Sequence, residues 1–250
     1  MLAKLEMELC TQPQQLMQYE KAVILQSILM TQIPTGYAEG LHTSQLHPYS
    51  QAVVNREGKN IWSICTTSEE AYRNIVERLE CDVFHDFVIE KDKLSVTVKN
   101  KELIKMPRKG LIEKYLFEDS ERILKVEFVT PTTFKSQGEY VFYPDITLIY
   151  QSLMNKYEAS SETETMRSAE VLEQLAANTK VIRYNLRSCY YHINNGKIPA
   201  FMGKLTFKIS GAQTMVNFAT MLFHFGEYSG VGIKAAMGMG KIIIEEGQRK

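Results

Sequence analysis

Apolar and charged residues alternate from residue 2 to residue 10 (Leu-Ala-Lys-Leu-Glu-Met-Glu-Leu-Cys), and this period of two predicts a strand with one buried face. The rhythm then changes. Leu16, Tyr19, Val23, Ser27 and Met30 recur near helical spacing, with Pro13 at the start, so a helix is expected over 14–31. Pro34 and Gly36 break it. Val53–Val54 and Ile61–Thr66 read as two strands, joined as a hairpin through Asn55-Arg56-Glu57-Gly58. Ser68, followed by Glu70 and Ala71, opens a second helix to about Leu79, and 84–90 and 94–99 are strand-like again. The order β-α-β-β-α-β is the ferredoxin-like unit.

The second half repeats the pattern more loosely. Residues 123–131 read as a strand, and Pro144 begins a helix through Tyr157 with Ile149, Leu153 and Tyr157 on one face. Residues 158–168 are polar and are expected to form a mobile loop. Strands follow at 180–193 and 202–209. A helix over 212–225 places Met215, Phe218, Ala219 and Leu222 on one face, and 241–245 is a last strand. The expectation is an α+β protein of two tandem ferredoxin-like (RRM-like, βαββαβ) domains with a C-terminal glycine-rich loop. The domains are placed at 1–118 and 119–250, about 120 residues each, an ordinary domain size.

Composition narrows the class only a little. The 250 residues are 44% hydrophobic and 23% charged, and no apolar run approaches the roughly 20 residues that span a bilayer. The N-terminus lacks a basic segment followed by an apolar core, so a cytoplasmic protein without membrane association is expected. Cys10, Cys65, Cys81 and Cys189 are scattered without a Cys-x-x-Cys pair, which suits reduced thiols better than a zinc site. Lys plus Arg equals Asp plus Glu at 29 each, so nucleic-acid binding would have to rest on a local patch.

The densest local signal is Gly230-Val231-Gly232, five further residues, then Gly238-Met239-Gly240. Glycine permits positive φ and close approach of a ligand, and successive amides can cradle a phosphate. Lys234 and Lys241 supply cations to the same place. The alternative is a connector that serves only the turn. A dinucleotide-binding turn is excluded by its spacing and by its strand-before-helix order, and a P-loop by the absence of Lys-Ser or Lys-Thr after the glycines.

A helix followed by Tyr228-Ser229-Gly230-Val231-Gly232-Ile233-Lys234-Ala235-Ala236-Met237-Gly238-Met239-Gly240 and a strand resembles the C-terminal signature of the CRISPR-associated repeat-RNA processing endoribonucleases of the RAMP superfamily. Thr130-Pro131-Thr132-Thr133-Phe134 resembles the family's Thr-Pro-x-x-Phe segment. Pro144-Asp145 through Ile149, Ser152-Leu153 and Lys156-Tyr157 resemble its following helix, and Phe201-Met202-Gly203 its glycine-bearing strand start. The resemblance covers most of 123–245; the N-terminal half matches more diffusely. It implies two ferredoxin-like domains and a metal-independent cleavage of CRISPR repeat RNA that leaves 5′-hydroxyl and 2′,3′-cyclic phosphate ends, with no cofactor. A CRISPR effector complex, transiently associated, and a second copy of the chain are partners the resemblance leaves open.

RNA carries its own nucleophile, the 2′-hydroxyl. Cleavage needs that hydroxyl deprotonated and the departing 5′-oxygen protonated, and histidine titrates near working pH. His42 and His47 share the segment 37–50, bracketed by Gly36 and Pro48 and expected to be an exposed loop. The resemblance puts the general acid or base on His42, in its Leu-His. Where the family often has Lys before a Pro-Phe/Tyr pair, this chain has His47 before Pro48-Tyr49, as a substitute cation or a second proton-transfer group. Tyr37 resembles a tyrosine that helps activate or orient the 2′-hydroxyl.

His85, His192 and His224 read as structural, and Tyr184, Tyr190 and Tyr191 as strand packing more readily than as base-stacking platforms. Arg108 and Lys109 grip an RNA backbone or line a solvated linker, and Arg183 and Arg187 are expected in the cleft between the domains. Two other functions fit parts of the pattern: an RNA-binding subunit of a guide-RNA complex without catalysis, and a ferredoxin-like metabolic enzyme holding a nucleotide in the glycine loop.

Overall fold

In the computed structural model, residues 1–161, 168–193 and 196–245 are described. The chain runs β1 (Leu2–Gln12), α1 (Lys21–Gln32), α2 (Thr35–Thr43), β2 (Tyr49–Arg56) and β3 (Lys59–Thr66). A helix in three pieces follows: α3 (Glu69–Ala71), a π-helical stretch (Tyr72–Val76) and α4 (Glu77–Glu80). Then come β4 (Asp86–Ile89), β5 (Leu94–Met106) and α5 (Arg108–Leu116). The second half comprises β6 (Ile123–Thr132), β7 (Phe134–Ser136), β8 (Glu139–Val141), α6 (Ile146–Ala159), α7 (Ala169–Asn178), β9 (Thr179–Ile193), β10 (Gly196–Ile209), α8 (Gln213–Ser229) and β11 (Ile242–Ile244).

Two antiparallel sheets form, ordered β2-β3-β1-β5-β4 and β11-β6-β10-β9. Set aside the edge strand β4, and each has its first strand between its third and its last. That is the ferredoxin-like arrangement twice over, joined by α5. The alternation in β1 has the expected result: Ala3, Leu5, Met7 and Leu9 are buried against Leu25 and Leu29 of α1 and Ile75 and Leu79 of the three-piece helix. Each of the Leu, Ile and Met side chains contributes about 1.5–3 kcal/mol by leaving water. Their neighbours Glu6 and Glu8 face outward and pair with Arg56 and Lys59. The second core gathers Val126 and Phe128 of β6, Leu205 and Phe207 of β10, Leu153 and Tyr157 of α6 and Leu222 of α8. Leu111 of α5 is buried in this second core, together with Leu2 and Cys65 from the first sheet. No helix among the described residues is long and apolar enough to cross a membrane.

Several elements differ from expectation. The first helix starts at Lys21, because residues 13–20 are drawn onto the β2–β3 hairpin. Asn60 accepts from the Met17 amide and donates to the Gln15 carbonyl, and Asn55 donates to the Met17 carbonyl. Those side chains take the backbone groups a helix would have used. The segment 37–50 is no plain loop: α2 occupies its first half, because Leu41 turns into the core and Tyr37 and Ala38 pack against it. β5 continues to Met106 because β1 pairs with it as far as Leu2. Helices α5 and α7 and the β7–β8 hairpin are additions, and the polar segment 158–168 falls partly outside the described residues.

One buried amide joins the two halves. Gln51 of β2 is 2% exposed. Its Nε2 donates to the Ala22 carbonyl (2.8 Å) and the Ala236 carbonyl (2.9 Å), while Oε1 accepts from Trp62 Nε1 (2.6 Å). Next to it, Ser50 donates to the Tyr228 carbonyl at 2.6 Å. Removing such a group leaves its buried partners unsatisfied, at 1–3 kcal/mol each. Gln51→Leu is therefore expected to lower the unfolding free energy by about 3 kcal/mol or more in urea titrations. A loss below about 0.5 kcal/mol, the level of an ordinary surface change, would show that this junction carries no energy.

Candidate active site

His42 sits in the last turn of α2, and His47 precedes Pro48 and the start of β2; both are exposed. The two imidazoles are close enough for the charge of one to be felt by the other. Partial burial, then the charge of His42, hold His47 below the usual imidazole pKa. The His47 ring lies 5.7 Å from that of Tyr49, centroid to centroid. Tyr49, 1% exposed, anchors the strand start through the core and through a bond from Gln26. The Pro48 carbonyl accepts from both the amide and the hydroxyl of Thr67. The backbone beneath the histidines is thus fixed while their rings stay open to solvent.

Tyr37 lies one turn before Leu41 on α2. Its hydroxyl is buried and has no hydrogen-bond partner among the described residues. Desolvation, then the charge of Glu70, push its pKa far upward, so the phenol keeps its proton. Tyr37 can donate or accept a hydrogen bond, but it cannot serve as a phenolate base near neutral pH. It faces a cavity of about 560 Å³ lined by α2, Pro48, Glu70 and Asn74. Sequence reasoning passed over Glu70 and Asn74, which read only as members of a helix.

The glycine loop has a role other than the one expected. Gly230, Gly232, Gly238 and Gly240 all have positive φ, as the motif predicts, but all four are buried. Their amides are already engaged: Gly230 with the Gly226 carbonyl, Gly232 with Ser152 Oγ, Gly238 with the Ala235 carbonyl and Gly240 with the Pro131 carbonyl. No phosphate cradle remains in these four. The glycines are needed because other protein atoms press on them. A Cβ would overlap the Thr133 carbonyl at Gly232, Ala22 at Gly238 and the Val231 carbonyl at Gly240. The partners are the segments that accompany the loop in sequence. Thr130 Oγ1 accepts from the Lys241 amide, and the Thr133 carbonyl accepts from Ile233. Lys156 turns its amine inward onto the Ser229 and Gly230 carbonyls, and burial pulls its pKa down to about 7.

Two expected RNA-facing cations are likewise committed inside the fold. Lys241 is buried, with Nζ on the Glu227 carbonyl (2.9 Å) and Cys65 Sγ (3.4 Å). Arg108 closes the end of α6, donating to Ser160 Oγ and the Tyr157 carbonyl with its guanidinium 3.9 Å from the Tyr157 ring centroid. Lys109 is exposed beside Glu113. Lys234 is exposed at the outer turn of the loop, whose next residues, Ala235–Met237, pack on β2. Tyr191 packs as expected, stacked on Tyr19 and bonded to the Met237 carbonyl, but Tyr184 and Tyr190 are open to solvent. Arg183 and Arg187 are exposed on the same strand. His85 pairs with Asp86, His192 with Glu20, and His224 stacks on Tyr115 and bonds Glu227. Among the described residues, no group of three or more His, Cys, Asp or Glu is placed to hold a metal ion.

Residues 126–242 match the family model described as CRISPR-associated endoribonuclease Cas6. A Streptococcus thermophilus protein, "CRISPR-associated endoribonuclease Cas6", is 33% identical over 229 residues, which is 90% of this chain and 91% of that one. A Mycobacterium tuberculosis protein of the same name is 33% identical over 222 residues, 88% of this chain and 70% of that one. Among solved structures, a Cas6 product complex superposes with a TM-score of 0.79 at 18% identity, covering 98% of this chain and 99% of that chain. A protein described as "An RAMP protein binding different RNA substrates" superposes at 0.62 and 14% identity, covering 98% of this chain and 100% of that one. These superpositions agree with the two ferredoxin-like units.

The glycines divide by surroundings, and stability measurements should divide them the same way. Gly240→Ala is expected to cost about 3 kcal/mol or more, because positive φ and the carbonyl overlap add. Gly40→Ala, where a Cβ meets nothing within 4 Å inside α2, is expected to gain about 0.5–1 kcal/mol. Equal effects at the two positions in denaturant melts would contradict the structural role given to the loop.

Proposed function

The chain belongs to the CRISPR-associated endoribonuclease Cas6 family, and from that premise we propose that it cuts CRISPR repeat RNA without a metal ion, with His47 and His42 moving the protons. The observation that carries this reading is the pair of exposed imidazoles on a rigid support, with the charge of His42 felt at His47. Two nearby imidazoles resist holding two protons at once, which favours one neutral and one charged ring. A neutral ring and a charged ring are what cleavage by an internal hydroxyl requires.

His47, held neutral more readily, accepts the proton of the 2′-hydroxyl. The 2′-oxygen then bonds to phosphorus as the bond from phosphorus to the 5′-oxygen breaks. His42 gives its proton to that departing oxygen. The products are a 2′,3′-cyclic phosphate and a 5′-hydroxyl, and no water enters. The lowered pKa of His47 argues against its use as a standing cation for the phosphorane. Tyr37, always protonated, positions the 2′-hydroxyl by a hydrogen bond. Lys234 and Lys109, with Arg183 and Arg187, are the exposed cations available to the RNA backbone. The domain boundary belongs near the end of α5, at about residue 118.

His42→Ala and His47→Ala are each expected to slow cleavage by about 10²–10⁴-fold while RNA affinity stays near that of the parent. The parent should cut repeat RNA fully in the presence of a chelator. RNA that is bound yet left intact under those conditions would point instead to a binding subunit. The pH–rate profile should be a bell. Activity rises with pH as His47 loses its proton, with a midpoint below the ordinary value of about 6.5, and falls again as the acid partner is deprotonated. An acidic limb that persists in His47→Ala would take the base role away from this residue.

A further inference from the structure

Nothing in the proton chemistry above explains why Glu70 and Asn74 stand beside it. We propose that the cavity between α2 and the three-piece helix receives a guanine, the base of the nucleotide whose 2′-hydroxyl attacks, with Glu70 reading it. This inference rests on the nuclease reading and adds a sequence preference to it.

The cavity measures about 560 Å³, within the range of small-ligand pockets and roomy enough for a purine. Its lining is mostly uncharged and includes Pro34, Gly36, Gly40, Leu41 and Pro48. Gly36 and Gly40 leave open space where side chains would stand. Such walls suit the flat face of a base. The polar groups are few. The Glu70 carboxylate has no hydrogen-bond or ion-pair partner among the described residues. Asn74 donates its Nδ2 to the Glu70 carbonyl at 2.9 Å, which fixes the amide and leaves Oδ1 as an acceptor.

This set is selective. A carboxylate only accepts hydrogen bonds. Guanine is the standard RNA base whose pairing edge presents two adjacent donors, N1–H and the 2-amino group. On the same edge, adenine and cytosine place an acceptor next to their donor, and uracil flanks its donor with two carbonyls. Each of those sets a lone pair against the carboxylate.

The backbone supports the assignment. Glu70 and Asn74 straddle the entry into the π-helical stretch Tyr72–Val76. π-helical turns are rare, appear as single-turn bulges inside α-helices and are frequent at functional sites. The position also fits. Leu41 and Pro48, which line the cavity, are the chain neighbours of His42 and His47. A base seated there lies beside the two stretches of chain that carry the imidazoles.

The test permutes one nucleotide. Repeat RNA is made with each of the four bases, and with inosine, immediately 5′ of the mapped cut. Cleavage is measured as kcat/KM on the ribose forms and binding as Kd on forms with a single 2′-deoxy residue at that nucleotide. Guanine is expected to exceed the other three bases by roughly 10-fold to 100-fold, the discrimination one bidentate pair supplies. Inosine, which lacks the 2-amino group, should fall between. In Glu70→Gln the ratio between guanine and the other bases should collapse, and thermal melting should stay unchanged because the side chain is exposed. Ratios within about 2-fold across all bases, or a guanine preference intact in Glu70→Gln, would overturn the proposal. Cleavage without base preference defeats the pocket and leaves the nuclease standing. Preferential binding of guanine without any cleavage does the reverse.

Discussion

The buried side chain of Gln51 is the constraint on which the rest of the molecule depends. One amide group satisfies a carbonyl of α1, a carbonyl of the glycine loop and the indole of Trp62. It does so from the strand that begins two residues after His47. Because an amide in a dry interior must make its bonds or lose several kcal/mol, the loop of the second half has little freedom to shift relative to β2. The histidines inherit that rigidity from the strand start below them.

The cluster of glycines and the exposed histidines therefore have different surroundings. The loop is a solid junction, its amides spent on Thr133, Pro131, Ser152 and Gly226. Positive φ and the absence of Cβ let the loop meet the Thr133 carbonyl, the Val231 carbonyl and Ala22 at distances no side chain tolerates. In the proposed reading the chemistry sits outside this junction, on imidazoles that are exposed to solvent. Cations follow the same division. Lys241, Lys156 and Arg108 hold carbonyls inside the fold, whereas Lys234, Lys109, Arg183 and Arg187 remain in contact with solvent.

Burial sets the electrostatic character of the site. It favours the neutral form of each group it covers: the phenol of Tyr37, the imidazole of His47 and the amine of Lys156. Exposed Tyr184 and Tyr190 on β9, beside Arg183 and Arg187, add flat and cationic groups on the far edge of the second sheet.

Strand alternation in β1, the face of α6 and the two β-α-β-β-α-β runs were legible in the sequence, because each depends on residues a few positions apart. The positive φ of the glycines and the position of the two histidines after the first helix were legible for the same reason. What only the tertiary structure decided is which polar groups remain unoccupied. The amides of the glycine loop, Lys241 and Arg108 looked available along the chain, yet their partners lie between 3 and 176 residues away. Glu70 and Asn74 looked like ordinary helix members until a π-helical turn set them against α2. Hydrogen-bond capacity is local, but its occupancy is settled by whatever the fold brings within 3 Å. The sequence could therefore name the groups able to do chemistry, and only packing could say which of them were left to do it.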